Sequence, residues 1–254
     1  MKSWWRNLGG EKPLLVFIFI IQYTLGMNMV YVTNIKELSD EKVFQEQYER
    51  VSEYRRKKVD KMKFPNDKRR SLAAGLLLQK ALGELGIDEK TIVFETNQNG
   101  KPFIKCENQN SGLKAVHFNL SHSGDYAMCV IGDNPVGCDV ERVRKIDLKL
   151  ADRFFAPLEI ELIRSQPSNE SQINTFFRLW TLKESYIKAL GKGLSLGLDS
   201  FSIQLSPLQL LSNKDDENIT CNFYEYNADN SYKFSACILG SGKLSKNVKI
   251  LTLL

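Results

Sequence analysis

The sequence predicts an α+β chain, in a pattern consistent with two similar halves that meet near residue 133. One observation is that strand-like and helix-like patterns alternate from Met29 onward. A second is an internal echo: Ala127-Met128-Cys129-Val130-Ile131-Gly132 resembles Ser235-Ala236-Cys237-Ile238-Leu239-Gly240, and each run follows a helix-then-hairpin series. Short apolar strands also match by chance, so the echo is consistent with duplication without establishing it. The third is size: 254 residues at 43% apolar content can bury a substantial core, as one unit or two.

Residues 29–132 are read as the first half. Val30-Tyr31-Val32 opens it as a strand, and Glu41 to Arg56 reads as a charged helix with sparse apolar positions. Asp67 to Leu85 is a stronger helix, with Asp67 as its N-cap and Leu72, Leu76, Leu77 and Leu82 near helical spacing before Gly86. Ile92 to Phe94 and Pro102 to Ile104 flank a turn at Asn97 to Gly100 and read as a hairpin. Tyr126 to Ile131 is a strand. Residues 133–254 form the second half, beginning with the strand Val136 to Glu141. Asn174 to Leu190 is a long helix ended by Gly191 and Gly193. Strands at Phe201 to Leu205, Ile219 to Tyr226 and Tyr232 to Leu239 follow.

Residues 1–28 differ from the rest. Lys2, Arg6 and Lys12 surround the approach to an apolar run from Leu14 to Ile21. The run has the outline of a signal peptide and is short for a membrane span. An extra strand or anchor is a second reading. The favoured one is upstream sequence from a misassigned start, because Met27 and Met29 stand just before the first strand.

The charge balance, 35 Lys and Arg against 30 Asp and Glu, is mildly basic. It suits a polyanionic small ligand or an acidic protein partner and gives no argument for nucleic acid. The five cysteines include no CxxC pair, and Cys129, Cys138 and Cys237 sit in apolar runs, so they read as buried reduced thiols. With two histidines in the chain, zinc is disfavoured.

Three constellations carry chemistry. In Val136-Gly137-Cys138-Asp139-Val140-Glu141 the strand period of two sends Asp139 and Glu141 to one face and Cys138 and Val140 to the other. An isolated Asp-x-Glu is most often a solvated strand end; two carboxylates projecting together otherwise call for a cation. Trp180, Glu184 and Lys188 form one helical stripe beside the apolar face of Phe176, Leu179, Ile187 and Leu190. A Glu four residues before a Lys is also an ordinary surface ion pair, worth about 0.2–0.5 kcal/mol. The bulky Trp and the Gly-Lys-Gly that follows favour a site. Phe118-Asn119-Leu120-Ser121-His122-Ser123-Gly124 is read as a polar turn entering a buried strand, a place where such residues often satisfy only local backbone. Ser121 and His122 are adjacent in an extended segment and point apart, which argues against a Ser-His nucleophile.

Together, Asn-x-Ser-His-Ser at 119–123, Gly-x-Asp-x-Glu at 137–141 and Trp-x-x-Lys-Glu-x-x-x-Lys at 180–188 resemble the 4'-phosphopantetheinyl transferase superfamily. The resemblance is to its larger pseudodimeric type, which serves nonribosomal peptide and polyketide synthetases. Gly100-Lys101-Pro102 and Phe154-Phe155 also match, and the resemblance runs from about Met29 to the C-terminus. It implies a cytoplasmic, monomeric enzyme with its site in the cleft between the halves. Such an enzyme moves the phosphopantetheine arm of coenzyme A to a serine of an apo carrier protein and releases 3',5'-ADP, with Mg2+.

The resemblance also implies roles. Asp139, Glu141 and Glu184 would be Mg2+ ligands, a hard cation taking carboxylates, substrate phosphates and water. Glu184 would also be the general base, directly or through a water. Lys188 would stabilise the leaving charge, and Lys101 would reach phosphate or the adenine edge. Arg55, Lys58, Arg70 and Ser71, joined by Ser121 and His122, would hold the 3'-phosphate of coenzyme A. The basic run from Arg55 to Arg70 has a solvated helix face as its ordinary reading, and nucleic-acid binding as a third that the lack of aromatic platforms around it disfavours. The segment Ile146 to Ile163 would offer an apolar groove to a carrier helix, with core packing as the competing use. Two other classes stay open: a non-catalytic coenzyme A or carrier binder, and a Mg2+-dependent phosphohydrolase.

Overall fold

The computed structural model describes residues 28–105, 116–213 and 219–253, so the expected extra segment at the N-terminus, Asn28 aside, lies outside the described residues, as does Cys106. A mixed sheet and an antiparallel sheet pack face to face, each carrying a long helix on its outer side. In the first half, β1 (Met29–Asn34) pairs antiparallel with β5 (Tyr126–Gly132), which pairs antiparallel with β4 (His117–Ser123). In the second, β6 (Val136–Arg142) pairs with β10 (Tyr232–Leu239), which pairs with β9 (Cys221–Tyr226), again antiparallel. Each half runs strand, long helix, then a two-strand return, and in each the last strand in sequence is the central one in space. The echoing segments lie on β5 and β10, the equivalent central strands.

The period of two divides the apolar residues between layers. Val30, Val32, Met128 and Val130 point inward and pack with Val136, Cys138, Val140, Phe234, Ala236 and Ile238 between the sheets. Tyr31, Cys129 and Ile131 point outward against the long helix of the first half, α3 (Pro65–Glu84), whose Leu72, Leu77, Leu78 and Leu82 are buried. On the far side, the long helix of the second half packs Leu182, Tyr186 and Ile187 against Cys237 and Phe201.

Several boundaries differ from expectation. The charged helix is two pieces, α1 (Glu41–Arg50) and α2 (Glu53–Asp60), because Val51 and Ser52 turn extended and Ser52 Oγ caps the second by accepting from Arg55 N at 3.3 Å. Helix α3 begins two residues before Asp67, with Pro65 in its first turn and Phe64 as the cap residue. Asp67 instead sits in the first turn and pairs with Arg70. The hairpin is β2 (Phe94–Thr96) with β3 (Pro102–Ile104). After β6 come the short helices α4 (Leu150–Phe154) and α5 (Pro157–Arg164). Helix α6 (Asn169–Leu190) starts five residues earlier than periodicity suggested, because Ser168 caps it and accepts from Ser171 N. It ends on Gly191 in the left-handed region at φ 68°.

Three strands have no counterpart in the sequence reading: β4, whose residues were expected to form a polar turn, and two more. β8 (Leu208–Asn213) pairs with β7 (Phe201–Leu205), and β11 (Lys249–Leu251) runs parallel to β1. The last strand of the chain therefore lies in the sheet of the first half. Among the described residues no helix is long and apolar enough to cross a membrane.

Candidate active site

Edge strands β4 and β6 come from different sheets, and polar side chains join them. Asn119 Oδ1 accepts from Cys138 N at 2.9 Å, Ser121 Oγ from Val140 N at 3.3 Å and Ser123 Oγ from Arg142 N at 3.2 Å. Alternate residues of one strand thus satisfy alternate N–H groups of the other, a side-chain substitute for a backbone ladder. Two of these hydroxyls also donate to the acidic pair: Ser121 to Asp139 Oδ1 at 2.8 Å and Ser123 to Glu141 Oε2 at 2.8 Å.

Helix α6 lies directly on β6 at Gly137, where a β-carbon would come 2.0 Å from Ser185 O and 2.3 Å from Ala189 N. That close approach sets Glu184 and Lys188 above the acidic strand. Lys188 Nζ donates to Asp139 Oδ1 at 2.5 Å and to Ser121 Oγ at 3.2 Å. The result is a cleft of about 350 Å³ between the halves, lined by Leu120, Ser121, His122, Asp139, Glu141, Trp180, Glu184 and Lys188.

Burial, reinforced by Asp139, raises the Glu141 carboxyl. Glu184 is likewise raised by burial, with Lys188 opposing and Asp139 and Glu141 adding to the rise. Burial pulls the Lys188 ammonium down, but Asp139 outweighs it and the net shift is upward. Asp139 is 3% exposed, and its Oδ2 is buried with no hydrogen-bond partner. An orphaned carboxylate oxygen beside two more carboxylates, in a lining with one imidazole (His122) and no sulfur, suits a hard cation such as Mg2+. Among the described residues no three acidic, His or Cys groups gather closely enough to hold a metal unaided. Further ligands would have to come from phosphate and water.

The expected 3'-phosphate residues are not all brought together. Arg70 lies near His122 and lowers its pKa, after the larger effect of the surrounding protein. Arg70 donates to Gly124 O at 3.0 Å, and Ser71 is half-buried on the same helix. Ser121 faces Asp139 and Lys188. Arg55 is inside the first half: its stem passes over Gly75, its guanidinium lies against the rings of Tyr54 and Phe94, and its Nε is 3.5 Å from the buried Glu89. Lys58 Nζ lies over the Tyr54 ring at 5.5 Å. Lys101 has partners the sequence did not predict: its ammonium donates to the carbonyls of Val136, Lys188 and Ala189 at 2.9, 2.6 and 3.2 Å. All three of its donors are used.

Asn119 and Ser123 carry the junction of the halves and were not among the expected site residues. Their signal was present: polar side chains at every second position, 119, 121 and 123, of one extended segment.

Comparison with known proteins agrees over nearly the whole described chain. The profile of the 4'-phosphopantetheinyl transferase superfamily matches residues 135–237. That of the 4'-phosphopantetheinyl transferase N-terminal region matches residues 39–133. The chain is 40% identical over 176 residues to 4'-phosphopantetheinyl transferase gsp of Aneurinibacillus migulanus, covering 69% of this chain and 70% of that one. It is 37% identical over 204 residues to psf-1 of Bacillus pumilus, covering 80% and 84%. With Sfp of Bacillus subtilis strain 168 the identity is 34% over 204 residues, covering 78% and 88%.

Proposed function

Because the chain belongs to the 4'-phosphopantetheinyl transferase superfamily, we propose that it transfers the phosphopantetheine arm of coenzyme A to a serine hydroxyl of an apo carrier protein, with Mg2+, releasing 3',5'-ADP. The observation that carries this reading is the convergence of Asp139, Glu141, Glu184 and Lys188 on one cleft between the halves.

Asp139, Glu141 and Glu184 would hold Mg2+, which when bound offsets negative charge on the pyrophosphate of coenzyme A. Glu184 takes the proton of the carrier serine, directly or through a water; its raised pKa makes it a better base than an ordinary carboxylate. The serine oxygen bonds to the phosphorus bearing the pantetheine arm as the bond to 3',5'-ADP breaks. Lys188 supplies positive charge to the leaving phosphate. Both walls of the cleft come from one chain, so a monomer is sufficient. The reaction belongs in the cytoplasm, where coenzyme A is available, and it involves no nucleic acid.

The carrier surface is assigned to α4 and α5. Of the segment Ile146 to Ile163, Ala151, Phe155 and Ile163 are core, whereas Leu150 and Leu158 are 40% and 63% exposed. Phe154 packs edge-on against Trp180 at the cleft wall. An acidic helical carrier fits this mildly basic chain. The test is release of 3',5'-ADP: release that requires apo carrier supports transfer, while equal release without carrier identifies a hydrolase.

The 3'-phosphate is assigned to Arg70, Ser71 and His122, whereas Lys58 stands over the Tyr54 ring and is left out of the set. This contact is remote from the reacting phosphorus and equally strong before and during reaction, so it governs KM more than kcat. A hydrogen bond to a charged group contributes about 1.5–3 kcal/mol, so Arg70→Ala should weaken coenzyme A roughly ten- to a hundredfold. Wild type should prefer coenzyme A to dephospho-coenzyme A, and Arg70→Ala should lose much of that preference. An unchanged preference, read from paired steady-state assays, would return Arg70 to the status of a helix-surface residue.

A further inference from the structure

Helix α6 carries Glu184 and Lys188, and its C-terminus is closed by the other half of the molecule. A helix end leaves carbonyls without intrahelical partners and concentrates negative charge there. The donors here come from the β2–β3 hairpin. Asn97 Nδ2 and Asn99 Nδ2 reach Gly191 O at 2.9 and 3.0 Å. Lys101 Nζ takes the carbonyls of Lys188 and Ala189, and its third bond, to Val136 O, ties the helix end to the start of β6.

The hairpin is shaped for this contact. Asn97 Oδ1 accepts from the backbone N–H groups of Asn99 and Lys101, fixing the turn that aims all three side chains. On the helix side, a β-carbon at Gly191 would stand 2.9 Å from Asn97 Nδ2 and 3.3 Å from the Lys101 stem. Gly-Lys-Gly at 191–193 therefore gives the hairpin room to approach. Burial lowers the Lys101 ammonium to about 8, so it remains largely charged at neutral pH.

Resting on the transferase reading above, we infer that the hairpin is an inter-half latch that sets the position of Lys188 and Glu184 over Asp139, and that Lys101 is a positioning residue and not a ligand of coenzyme A. Lys188 is both the residue whose carbonyl Lys101 holds and the residue whose ammonium meets Asp139. A small drift of the last turn moves that ammonium off the carboxylate. To serve phosphate, Lys101 would have to abandon three buried carbonyls and leave the helix end unclosed.

The experiment compares Lys101→Met and Asn99→Asp with wild type, each also in a Lys188→Ala background. Lys101→Met is expected to lower kcat about ten- to a hundredfold with KM for coenzyme A changed less than about threefold. Asn99→Asp sets a carboxylate against a helix-end carbonyl at the surface and should lower kcat about three- to tenfold; it carries the test if Lys101→Met does not fold. In the Lys188→Ala background either effect should shrink to less than about twofold, because residues acting as a unit are not additive. Hydrogen exchange should quicken in residues 185–191 and be unchanged in α3. A rise in KM with kcat intact, or full additivity with Lys188→Ala, would overturn the latch. If wild type transfers nothing, the functional reading has failed, while the exchange measurement still decides whether the hairpin closes the helix.

Discussion

Replacing Asp139, Glu141 or Glu184 with alanine is expected to lower carrier modification by at least about a hundredfold each, with the fold retained. Glu141 and Glu184 line the cleft, so their removal costs ligands and a base without opening a core cavity; Asp139 is 3% exposed, and its removal also takes a partner from Lys188 and Ser121 at some cost in stability. High Mg2+ should restore Asp139→Ala or Glu141→Ala better than Glu184→Ala, since the last also loses the proton acceptor. For Glu184, stability should move the other way. Burial raises the folded-state pKa of Glu184, so the folded protein binds its proton more readily than the unfolded chain does. An acid shifted in that direction destabilises the fold at pH values above its raised pKa, and the penalty fades as pH falls through it. Glu184→Gln should therefore raise the melting temperature at neutral pH in the absence of ligands and give progressively less benefit in acid. Calorimetry across pH, paired with transfer assays, checks both signs. Near-normal turnover in any of the three alanine variants would refute the ligand assignment.

The largest loss of stability is expected from Glu159→Ala. Lys183 and Glu159 are 0% and 2% exposed, and the ammonium donates to both carboxylate oxygens at 2.7 Å and to Phe201 O at 2.6 Å. The carboxylate also accepts from Ile203 N and Ala156 N, both at 2.9 Å, so one ion pair binds α5, α6 and β7 together. Removing one partner of such a pair leaves an uncompensated buried charge, at a cost of about 3–5 kcal/mol. Burial lowers the Lys183 pKa to about 8 even with Glu159 opposing the shift, so without Glu159 the ammonium should tend to lose its proton. Denaturant unfolding should show the midpoint moving sharply lower for Glu159→Ala and less for Glu159→Ala combined with Lys183→Met. A single-variant loss under about 1 kcal/mol would contradict this description of the pair.

Lys183 shows what a motif conceals when read without its neighbours. It stands inside Trp-x-x-Lys-Glu-x-x-x-Lys beside Glu184, yet helical geometry turns it away from the cleft and into the core. The stripe of Trp180, Glu184 and Lys188 was legible because its period is local, and so was the facing of Asp139 and Glu141. The echo between β5 and β10 was legible for the same reason, as two short runs of similar composition. Strand β11 was not, because its partner β1 lies more than 200 residues away and three residues carry no periodicity. The partners of Arg55 and Lys101 were not legible, because a cation near a glycine or in a basic run looks the same whether it meets a phosphate, a buried Glu89 or three carbonyls. The break at Val51-Ser52 had the same origin: Ser52 caps α2 and donates to Glu89 at 2.9 Å, a partner 37 residues on. Local pattern gave the carboxylates and their faces; long-range pairing decided which cations stand beside them.

The most direct measurement is the intact mass of an apo peptidyl carrier domain incubated with this chain, coenzyme A and Mg2+. The expected result is a gain equal to one phosphopantetheine group on a single serine, lost when that serine is alanine and abolished by Glu184→Gln. A carrier of unchanged mass across several carrier domains, with coenzyme A either intact or hydrolysed, would contradict the transferase reading.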